Sequence, residues 1–114
     1  MEKVKLGRTN IEVSILGIGT GTAHSSGCFA QSLMSTKEFA DILVFAFDKG
    51  ITLWDSAFQY KTYPHIKEAL KHVKRSEIVL TTKVTTANEE DTLKDFHDSL
   101  KELKIEYFDG VEWI

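Results

Sequence analysis

The sequence predicts an α/β fold with a parallel sheet. Short apolar runs, which are typical of buried strands, are followed by segments whose apolar residues recur at helical spacing. After residue 14 this alternation gives the order strand, helix, strand, helix, strand, helix, strand. A repeated strand–helix unit requires parallel strands joined by right-handed crossovers. Two architectures accept this order, a doubly wound sheet and a (β/α)₈ barrel.

The first third of the chain predicts a β-hairpin, a buried strand and a loop. Residues 3–13 form two short alternating segments around a turn-type sequence at positions 7–10, a pattern typical of a hairpin. Residues 14–19 are an apolar run and predict the first parallel strand. Residues 22–33 are rich in Ser, Gly and Ala and predict a loop. A dinucleotide-binding Rossmann unit is not indicated, because this strand is not followed by G-x-G-x-x-G.

The next segment carries signals for both ends of a helix. Ser35 and Glu38 have the spacing of a capping box, and Gly50 suits the position after the C-cap. Apolar residues recur between them at helical spacing: Phe39, Ile42, Leu43 and Ala46. We therefore expect a helix here, followed by a strand over residues 51–54.

Two further strand–helix units follow. Pro64 suits the first turn of the second helix, and three cations are placed to close it: Lys71, Lys74 and Arg75. Residues 78–82 predict the third strand. Acidic residues at positions 89–91 favour a helix N-terminus, and apolar residues recur after them: Leu93, Phe96, Leu100 and Leu103. Residues 107–114 predict the last strand.

Composition and charge exclude several classes of function. The 42% of hydrophobic and 27% of charged residues are typical of a soluble globular protein. A net charge of −3 provides no basic field for nucleic acid or anionic lipid. No apolar run could span a bilayer and no signal peptide is visible, so we expect a cytoplasmic protein. Cys28 is the only cysteine, which excludes an intrachain disulfide, and its spacing from the histidines does not indicate a metal site.

Ionisable side chains follow two of the predicted strands. Asp55 and Tyr60 come after residues 51–54, and Lys83 comes after residues 78–82. Because the carboxyl ends of parallel strands meet at one rim, we expect these side chains to lie close together. An ammonium group beside a phenol lowers the pKa of the phenol, which would make Tyr60 a proton donor. From spacing alone a simpler interpretation is favoured, in which Asp55 caps a helix, Lys83 pairs with it and Tyr60 only packs.

Five ordered motifs change which of these two interpretations is favoured. They are LGRTNIEVS at positions 6–14, LGIGT at 16–20, DSA at 55–57 with Tyr60 five positions after the aspartate, TTK at 81–83, and SLKELKIEYFD at 99–109. In order and interval they resemble the N-terminal half of the aldo-keto reductases: an opening hairpin, the first barrel strand, two strand ends with catalytic residues, and the helix that leads into the fourth strand. The resemblance covers nearly the whole chain.

The resemblance implies a fold and an activity. The fold is a parallel (β/α) half-barrel of the TIM-barrel type with an N-terminal β-hairpin, in which residues 1–114 are the N-terminal part of a (β/α)₈ barrel and the C-terminal half is absent. The activity is the NADPH-dependent reduction of an aldehyde or ketone. By resemblance, Tyr60 is the general acid, Lys83 tunes its pKa and Asp55 supports Lys83. The resemblance also assigns residues to the cofactor NADP(H): Gly19, Thr20 and Asp55. No metal site is predicted, because the histidines and Cys28 do not have metal-ligand spacing.

Three features depart from the family's pattern. The family has a catalytic histidine at the end of the fourth strand, near position 114, where this chain has Ile114; His72 and His97 lie on predicted helices and do not replace it. Lys61 stands where the family usually has glycine. The family's NADP-binding loops belong to the C-terminal half of the barrel. The alternative function is therefore a truncated, non-catalytic half-barrel that acts as a structural or interaction module.

Four strands cannot close a barrel, and this predicts exposed apolar surface. A complete barrel has eight strands and roughly 200–250 residues, of which this chain supplies about half. We expect Leu53, Leu80 and Val111 on the open inner face, and an edge strand without a partner. If the chain is complete, we expect a homodimer or larger oligomer that covers this surface. Trp54 and Trp113 are expected in the core.

Overall fold

The computed structural model describes residues 1–84 and 87–113, which contain six β-strands and three α-helices. The strands are β1 (Lys3–Lys5), β2 (Glu12–Ser14), β3 (Gly17–Gly19), β4 (Leu53–Asp55), β5 (Val79–Val84) and β6 (Gly110–Trp113). The helices are α1 (Thr36–Asp48), α2 (Tyr63–Ala69) and α3 (Glu89–Leu103). Short 3₁₀-helices lie in the connections: Ala30–Leu33, Phe58–Tyr60 and Arg75–Glu77.

The last four strands form one parallel sheet in the order β3-β4-β5-β6. One α-helix lies between each pair of successive strands. Neighbours in sequence are therefore neighbours in space, which is the strand order of a (β/α)₈ barrel and differs from a doubly wound sheet, where the order reverses. The predicted parallel α/β half-barrel is confirmed. The predicted last strand included Ile114, which lies outside the described residues.

The N-terminal hairpin is attached to the amino-terminal end of the sheet. β1 and β2 pair antiparallel, as predicted, with Lys3 opposite Ser14. The Ser14 hydroxyl oxygen accepts the backbone N–H groups of Thr52 at 3.0 Å and Leu53 at 3.3 Å. These bonds fasten the end of β2 to the start of β4. The carboxyl ends of the parallel strands, at the opposite end of the sheet, are left accessible.

Both predicted ends of α1 are confirmed. The Ser35 hydroxyl accepts the Glu38 N–H at 3.1 Å, and the Glu38 carboxylate accepts the Ser35 N–H at 3.3 Å, which completes the capping box. Gly50 follows the C-cap with a φ of +91°, in the left-handed region that glycine adopts readily. A Cβ atom at Gly50 would lie 2.9 Å from the Met1 Cβ, so the position also requires glycine for space.

The other two helices differ in how well the sequence predicts them. α3 begins as expected, because the Asn88 side chain accepts the Asp91 N–H at 2.8 Å and three acidic residues occupy its first turn. α2 has Pro64 in its first turn but ends at Ala69, where the backbone passes into turns. The predicted closing cations therefore lie beyond the helix: Lys71, Lys74 and Arg75.

One face of the parallel sheet packs against the helices. Trp54 of β4 and Leu80 of β5 are neighbours in register, and both are completely buried on this face. Leu43 of α1 and Ile66 of α2 are also completely buried and belong to the same hydrophobic cluster. Because side chains alternate along a strand, residues such as Asp55 face the other side of the sheet, where the inside of a barrel would be.

The structure corrects two predictions about the inner face. Leu80 is predicted on the open inner face but is buried beneath the helices, because its register with Trp54 places it on the covered face. Val111 is 47% exposed, as expected of an uncovered residue, but its register with Thr82 places it on the helix side and not inside. Only Leu53 of the three predicted inner-face residues lies on that face, and it is half-buried.

The two tryptophans have different environments. Trp54 is completely buried, as predicted, and its indole N–H donates to the Ile51 carbonyl oxygen at 3.1 Å. The prediction for Trp113 is wrong, because its side chain is 72% exposed. Trp113 lies on β6, which is an edge strand of the described sheet and pairs only with β5. Sequence alone does not distinguish a tryptophan on an edge strand from one on a central strand.

Arg75 and Asp109 join the starts of β5 and β6. The Arg75 guanidinium donates to the Asp109 carboxylate at 2.8 Å and to the backbone oxygens of Tyr107 and Ile78 at 2.9 and 3.1 Å. It also lies 4.1 Å from the centre of the Tyr107 ring. The same Asp109 oxygen accepts the Leu80 N–H at 2.8 Å. The two side chains are only 13% and 17% exposed, so this ion pair stabilises the amino-terminal end of the sheet.

Replacing Arg75 with methionine is expected to destabilise the fold strongly. The substitution leaves the Asp109 carboxylate buried without its cation, and breaking a pair of this kind costs about 3 kcal/mol. Urea unfolding followed by circular dichroism measures the change in the free energy of unfolding. The exposed pair Lys37–Asp41, with side chains 81% and 61% exposed, provides the control, since Lys37→Met should leave the unfolding midpoint unchanged. Equal effects of the two substitutions would contradict the role given to Arg75.

Candidate active site

The strand ends bring the predicted residues to one rim of the sheet. Asp55 is the last residue of β4 and lies in register with Gly19 of β3 and Thr81 of β5. Lys83 lies two residues after Thr81, on the same face of β5. Tyr60 ends the short 3₁₀-helix that follows β4. The arrangement expected for the carboxyl ends of parallel strands is therefore present.

An ion pair between Asp55 and Lys83 occupies the centre of the site. The Lys83 Nζ lies 2.5 Å from each of the two Asp55 carboxylate oxygens and also donates to the Ser56 carbonyl oxygen at 3.1 Å. The Lys83 side chain is 13% exposed and that of Asp55 is 39% exposed. The predicted ion pair is present, with the ammonium inside and the carboxylate partly open to solvent.

Two opposing influences determine the pKa of Lys83. Burial is the larger single influence and disfavours the charged ammonium, which lowers the pKa. The hydrogen bond and charge of Asp55 favour the ammonium, and Tyr60 adds a smaller contribution of the same sign. Together they outweigh burial, so the pKa of Lys83 lies above its ordinary value. The side chain is therefore a fixed positive charge at neutral pH.

Hydroxyl groups hold Asp55 in place from both neighbouring strands. The Thr81 hydroxyl donates to the Asp55 Oδ1 at 2.9 Å. The Thr20 hydroxyl donates to the Asp55 backbone oxygen at 3.0 Å and accepts a bond from the Thr62 hydroxyl at 3.1 Å. The carboxylate thus receives bonds from Thr81 and Lys83, and its backbone is fixed by Thr20. This arrangement leaves little freedom for the Asp55 side chain to turn away from Lys83.

The residues assigned to the cofactor by resemblance differ in accessibility. Thr20 is completely buried, and its N–H and its hydroxyl both donate to the Asp55 backbone oxygen. Its side chain is therefore used within the protein and is not presented at the rim. Gly19 is exposed, and a Cβ atom there would meet no other atom within 4 Å. Open space thus lies beside Asp55, whose carboxylate is partly exposed.

Tyr60 lies beside Lys83 and is half-buried. The Lys83 Nζ is 5.3 Å from the centre of the Tyr60 ring. The Phe29 ring packs against the Tyr60 ring with 4.7 Å between centroids, and Gly21 lies directly against it. Tyr60 therefore does not face bulk solvent, and the phenol, ammonium and carboxylate form one group of side chains.

Lys61 is one of the departures from the family's pattern, and its backbone conformation shows what the change affects. Its φ of +60° lies in the left-handed region, where glycine is favoured, and the family usually has glycine at this position. Lys61 adopts this conformation with its Nζ 4.5 Å from the centre of the Phe58 ring. The substitution therefore affects the backbone turn that follows Tyr60 and adds no charged group to the ion pair.

Tyr63 is near Tyr60 in sequence but lies on the other face of the sheet. It is 2% exposed, and its hydroxyl is 2.6 Å from the Thr82 hydroxyl. Burial raises the pKa of Tyr63, and hydrogen bonds to Ser99 and Thr82 offset this only in part. The structure therefore distinguishes a buried tyrosine of the core from the tyrosine beside Lys83.

Sequence reasoning gave no role to several residues that support the site. Thr81 is two positions before Lys83, and this period of two, which puts both side chains on one strand face, was a usable signal. Ser56 and Thr62 contact the site through bonds to distant parts of the chain, so no local pattern indicates them. Glu112 lies in register with Lys83 and is exposed on the same face.

The histidines lie elsewhere in the described part of the chain. His24, His72 and His97 are exposed, and His65 is buried with its Nε2 2.9 Å from the Met34 carbonyl oxygen. Ile114, near which the family's catalytic histidine falls, lies outside the described residues. Within residues 1–84 and 87–113, no three His, Cys, Asp or Glu side chains are grouped to hold a metal ion. No helix within the same residues is long and apolar enough to cross a membrane.

Comparison with known proteins decides the family. The sequence model of the Aldo/keto reductase family matches residues 16–113, a range that includes Asp55, Tyr60 and Lys83. The chain belongs to this family. The resemblance to the N-terminal half of the aldo-keto reductases, predicted from the ordered motifs, is thus confirmed.

Solved aldo-keto reductases have the same fold over nearly all of this chain. The thermostable aldo-keto reductase Tm1743, solved with the inhibitor epalrestat, is 28% identical with a TM-score of 0.83, and the match covers 97% of this chain and 42% of that one. An aldo-keto reductase from Pseudomonas aeruginosa is 27% identical with a TM-score of 0.79, and the match covers 97% and 46%. A third, from Bombyx mori and solved with NADP, is 24% identical with a TM-score of 0.73, and the match covers 96% and 36%. This chain therefore spans less than half the length of these aldo-keto reductases.

The raised pKa of Lys83 predicts how stability depends on pH. A lysine whose pKa is higher in the folded state than its ordinary 10.5 contributes stability below that pH, and the contribution is lost as the pH rises through the folded-state pKa. We expect the difference in free energy of unfolding between the wild type and Lys83→Met to be constant from neutral pH to the ordinary lysine pKa. Above the ordinary lysine pKa, the wild type should lose stability relative to Lys83→Met.

Urea unfolding of both proteins at a series of pH values measures this difference. Lys71→Met is the control, because Lys71 is the more exposed of the two lysines and pairs with Glu68, with side chains 62% and 32% exposed. A difference for Lys83→Met that stays flat through the alkaline range would show that Asp55 does not favour the ammonium in the folded state.

Proposed function

We propose that this chain carries the proton-donating part of an NADPH-dependent reductase of aldehydes or ketones. The observation that supports the proposal is the group formed by Asp55, Lys83 and Tyr60 at the carboxyl ends of the strands. The Lys83 Nζ lies 2.5 Å from the carboxylate and 5.3 Å from the centre of the phenol ring. The carboxyl ends of strands are where catalytic residues of (β/α)₈ enzymes lie. Family membership adds an oxidoreductase chemistry that requires such a proton donor.

In this proposal each residue has one role. Tyr60 donates its phenol proton to the carbonyl oxygen of the substrate. Lys83 stabilises the phenolate that remains, because an adjacent ammonium favours the anionic form of a phenol. Asp55 keeps the ammonium in place and charged, in agreement with the raised pKa of Lys83. The phenolate then takes a proton from solvent, which restores the site.

The residues present fit the nicotinamide end of NADP(H). The open space beside Gly19 and the partly exposed Asp55 carboxylate leave room for a ligand with hydroxyl donors at the rim. Gly19 and Asp55 would hold this end. Thr20 would act indirectly, because its hydroxyl holds the Asp55 backbone oxygen. NADPH, when bound, supplies a hydride to the carbonyl carbon. The relative from Bombyx mori was solved with NADP, which supports this choice of cofactor.

The alternative function is a non-catalytic half-barrel that serves as a structural or interaction module. It is favoured by exposed apolar residues on the edge strand β6 and on two helices: Val111 and Trp113 of β6, Leu93 of α3 and Phe45 of α1. By resemblance, the family's NADP-binding loops belong to the C-terminal half of the barrel. NADPH binding distinguishes the two functions, because the module needs no cofactor. In either case we propose that the protein acts in the cytoplasm.

Tyr60→Phe is expected to remove carbonyl reduction while leaving the fold and NADPH binding unchanged, since the substitution deletes only the proton-donating hydroxyl and keeps the ring. The measurement is the loss of NADPH absorbance with an aldehyde substrate, together with fluorescence titration of NADPH. Tyr63→Phe is the matched control: it removes a buried hydroxyl at a cost of about 1 kcal/mol in stability but should leave the activity per folded molecule unchanged.

Two results would reject the reductase proposal. One is a Tyr60→Phe protein as active as the wild type, which would show that another group donates the proton. The other is absence of NADPH binding to the wild type at millimolar cofactor, which would leave the module as the better explanation.

We further propose that the 114-residue chain, when it is produced alone, associates with itself. Both outer strands of the described parallel sheet have a neighbour on one side only. Large apolar side chains are exposed near them: Ile15 at 53%, Leu16 at 56%, Val111 at 47% and Trp113 at 72%. A monomer with unpaired strand edges and apolar surface of this kind tends to associate.

Sedimentation equilibrium measures this association. We expect a mass at least twice 12.9 kDa at micromolar concentration. Val111→Lys combined with Leu16→Lys should shift the equilibrium towards monomer without unfolding the chain, since both side chains are already exposed. A soluble wild-type monomer of 12.9 kDa would contradict the proposal.

A further inference from the structure

The loop between β3 and α1, residues 22–33, is closed at its base by side-chain hydrogen bonds. The Gln31 amide oxygen accepts the Thr22 N–H at 2.7 Å, and the Gln31 amide nitrogen donates to the Thr22 hydroxyl at 2.9 Å. The Ala30 N–H donates to the Thr22 carbonyl oxygen at 2.8 Å. The chain therefore leaves β3 and returns to the same point before it enters α1.

Above this base the loop has a defined conformation. Ala23 and Phe29 form an antiparallel bridge, and the His24 N–H donates to the Cys28 carbonyl oxygen at 3.0 Å. Gly27, with a φ of +85°, provides the left-handed residue of the turn. Backbone bonds therefore fix the position of Phe29, although much of the loop is exposed.

Phe29 and Gly21 both contact the Tyr60 ring. The rings of Phe29 and Tyr60 lie 4.7 Å apart between centroids, with their planes at 48°. A Cβ atom at Gly21 would lie only 2.3, 2.4 and 2.6 Å from three carbons of the Tyr60 ring. By contrast, a Cβ atom at Gly19, two residues earlier, would meet no atom within 4 Å. The absence of a side chain at position 21 therefore provides the space that the Tyr60 ring occupies.

The backbone around Tyr60 does not by itself fix the direction of the ring. Tyr60 is the last residue of a three-residue 3₁₀-helix, with one backbone bond from its N–H to the Ala57 oxygen, and Lys61 after it is exposed. A side chain at such a position can adopt more than one staggered rotamer. Contacts with Gly21, Phe29 and Lys83 are what the structure provides to select one of them.

We propose that Gly21 and Phe29 are positioning residues for Tyr60: Gly21 leaves the space for the ring, and Phe29 packs against the ring so that the phenol stays beside Lys83. The loop of residues 22–33 is thereby part of the site, through a ring contact and not through a charged group. The catalytic consequence of this positioning rests on the proposed function, whereas the positioning itself does not.

Nuclear magnetic resonance tests the positioning without any activity. The wild type should give nuclear Overhauser contacts between the ring protons of Phe29 and Tyr60, and Lys83 side-chain shifts displaced by the Tyr60 ring current. Gly21→Ala and Phe29→Ala should both remove the contacts and move the Lys83 shifts towards those of Tyr60→Leu. Cys28→Ala, an exposed neighbour in the same loop, should leave the Lys83 shifts unchanged.

Kinetics test the consequence for the reaction. Because small misplacement of a catalytic group reduces the rate steeply, Gly21→Ala and Phe29→Ala should lower kcat by roughly 10- to 100-fold. The dissociation constant of NADPH should change less than about twofold, because neither residue contacts the carboxylate or the ammonium. Phe29→Tyr, which keeps an aromatic ring, should restore kcat to near the wild-type value.

The two measurements separate the inference from the proposed function. Lys83 shifts that do not move in Phe29→Ala, or in a folded Gly21→Ala, would overturn the positioning role. If the Lys83 shifts move as expected in the variants but the wild type does not reduce carbonyl compounds, the positioning role is supported and the reductase proposal is rejected. If Gly21→Ala does not fold, Phe29→Ala and Phe29→Tyr provide the same comparison.

Discussion

The register between β4 and β5 is the constraint on which both the core and the site depend. It places Trp54 beside Leu80 on the helix-covered face and Asp55 beside Thr81 on the other. Because side chains alternate along a strand, one register decides both faces at once, and a slip of one residue would exchange them. Such a slip would bury Asp55 among the helices and expose Trp54. Hydrophobic burial of the core therefore fixes the geometry of the polar site, although the two share no side chain.

The two ends of the sheet use ion pairs differently. At the amino-terminal end, Arg75 and Asp109 are both largely buried; Arg75 also donates to backbone oxygens, and Asp109 also accepts a backbone N–H. At the carboxyl-terminal end, Asp55 is 39% exposed and its partner Lys83 is 13% exposed. The first pair connects two strands, whereas the second keeps a charged group beside a phenol. The stabilising pair and the candidate active site thus lie at opposite ends of the strands, as stability and chemistry do in (β/α)₈ folds generally.

Local signals in the sequence predicted most of the fold. The capping box of Ser35, the glycine at position 50 and the alternation of strands and helices are decided by neighbouring residues, and all are present in the structure. The prediction failed for Leu80 and Trp113, because burial depends on which strands and helices lie on either side. At the site, strand ends and family motifs indicated Asp55, Tyr60 and Lys83. Phe29 and Gly21 were missed, since they reach Tyr60 across more than 30 residues of chain and carry no ionisable group.

The proposed proton donation depends on what covers the open inner face of the sheet. Asp55 is partly exposed, and Glu112, in register with Lys83, is also exposed, so water reaches the surroundings of the ammonium. An ion pair in contact with water acts weakly on its neighbours, and the same pair acts more strongly where water is excluded. Further strand–helix units or a second copy of the chain would exclude that water by pairing with the edges of β3 and β6. A sheet that stays open keeps the geometry of Asp55 and Lys83 but loses the low-dielectric surroundings in which a lysine most effectively makes a tyrosine acidic. The proposed proton donation and the proposed self-association therefore depend on the same surface of this chain.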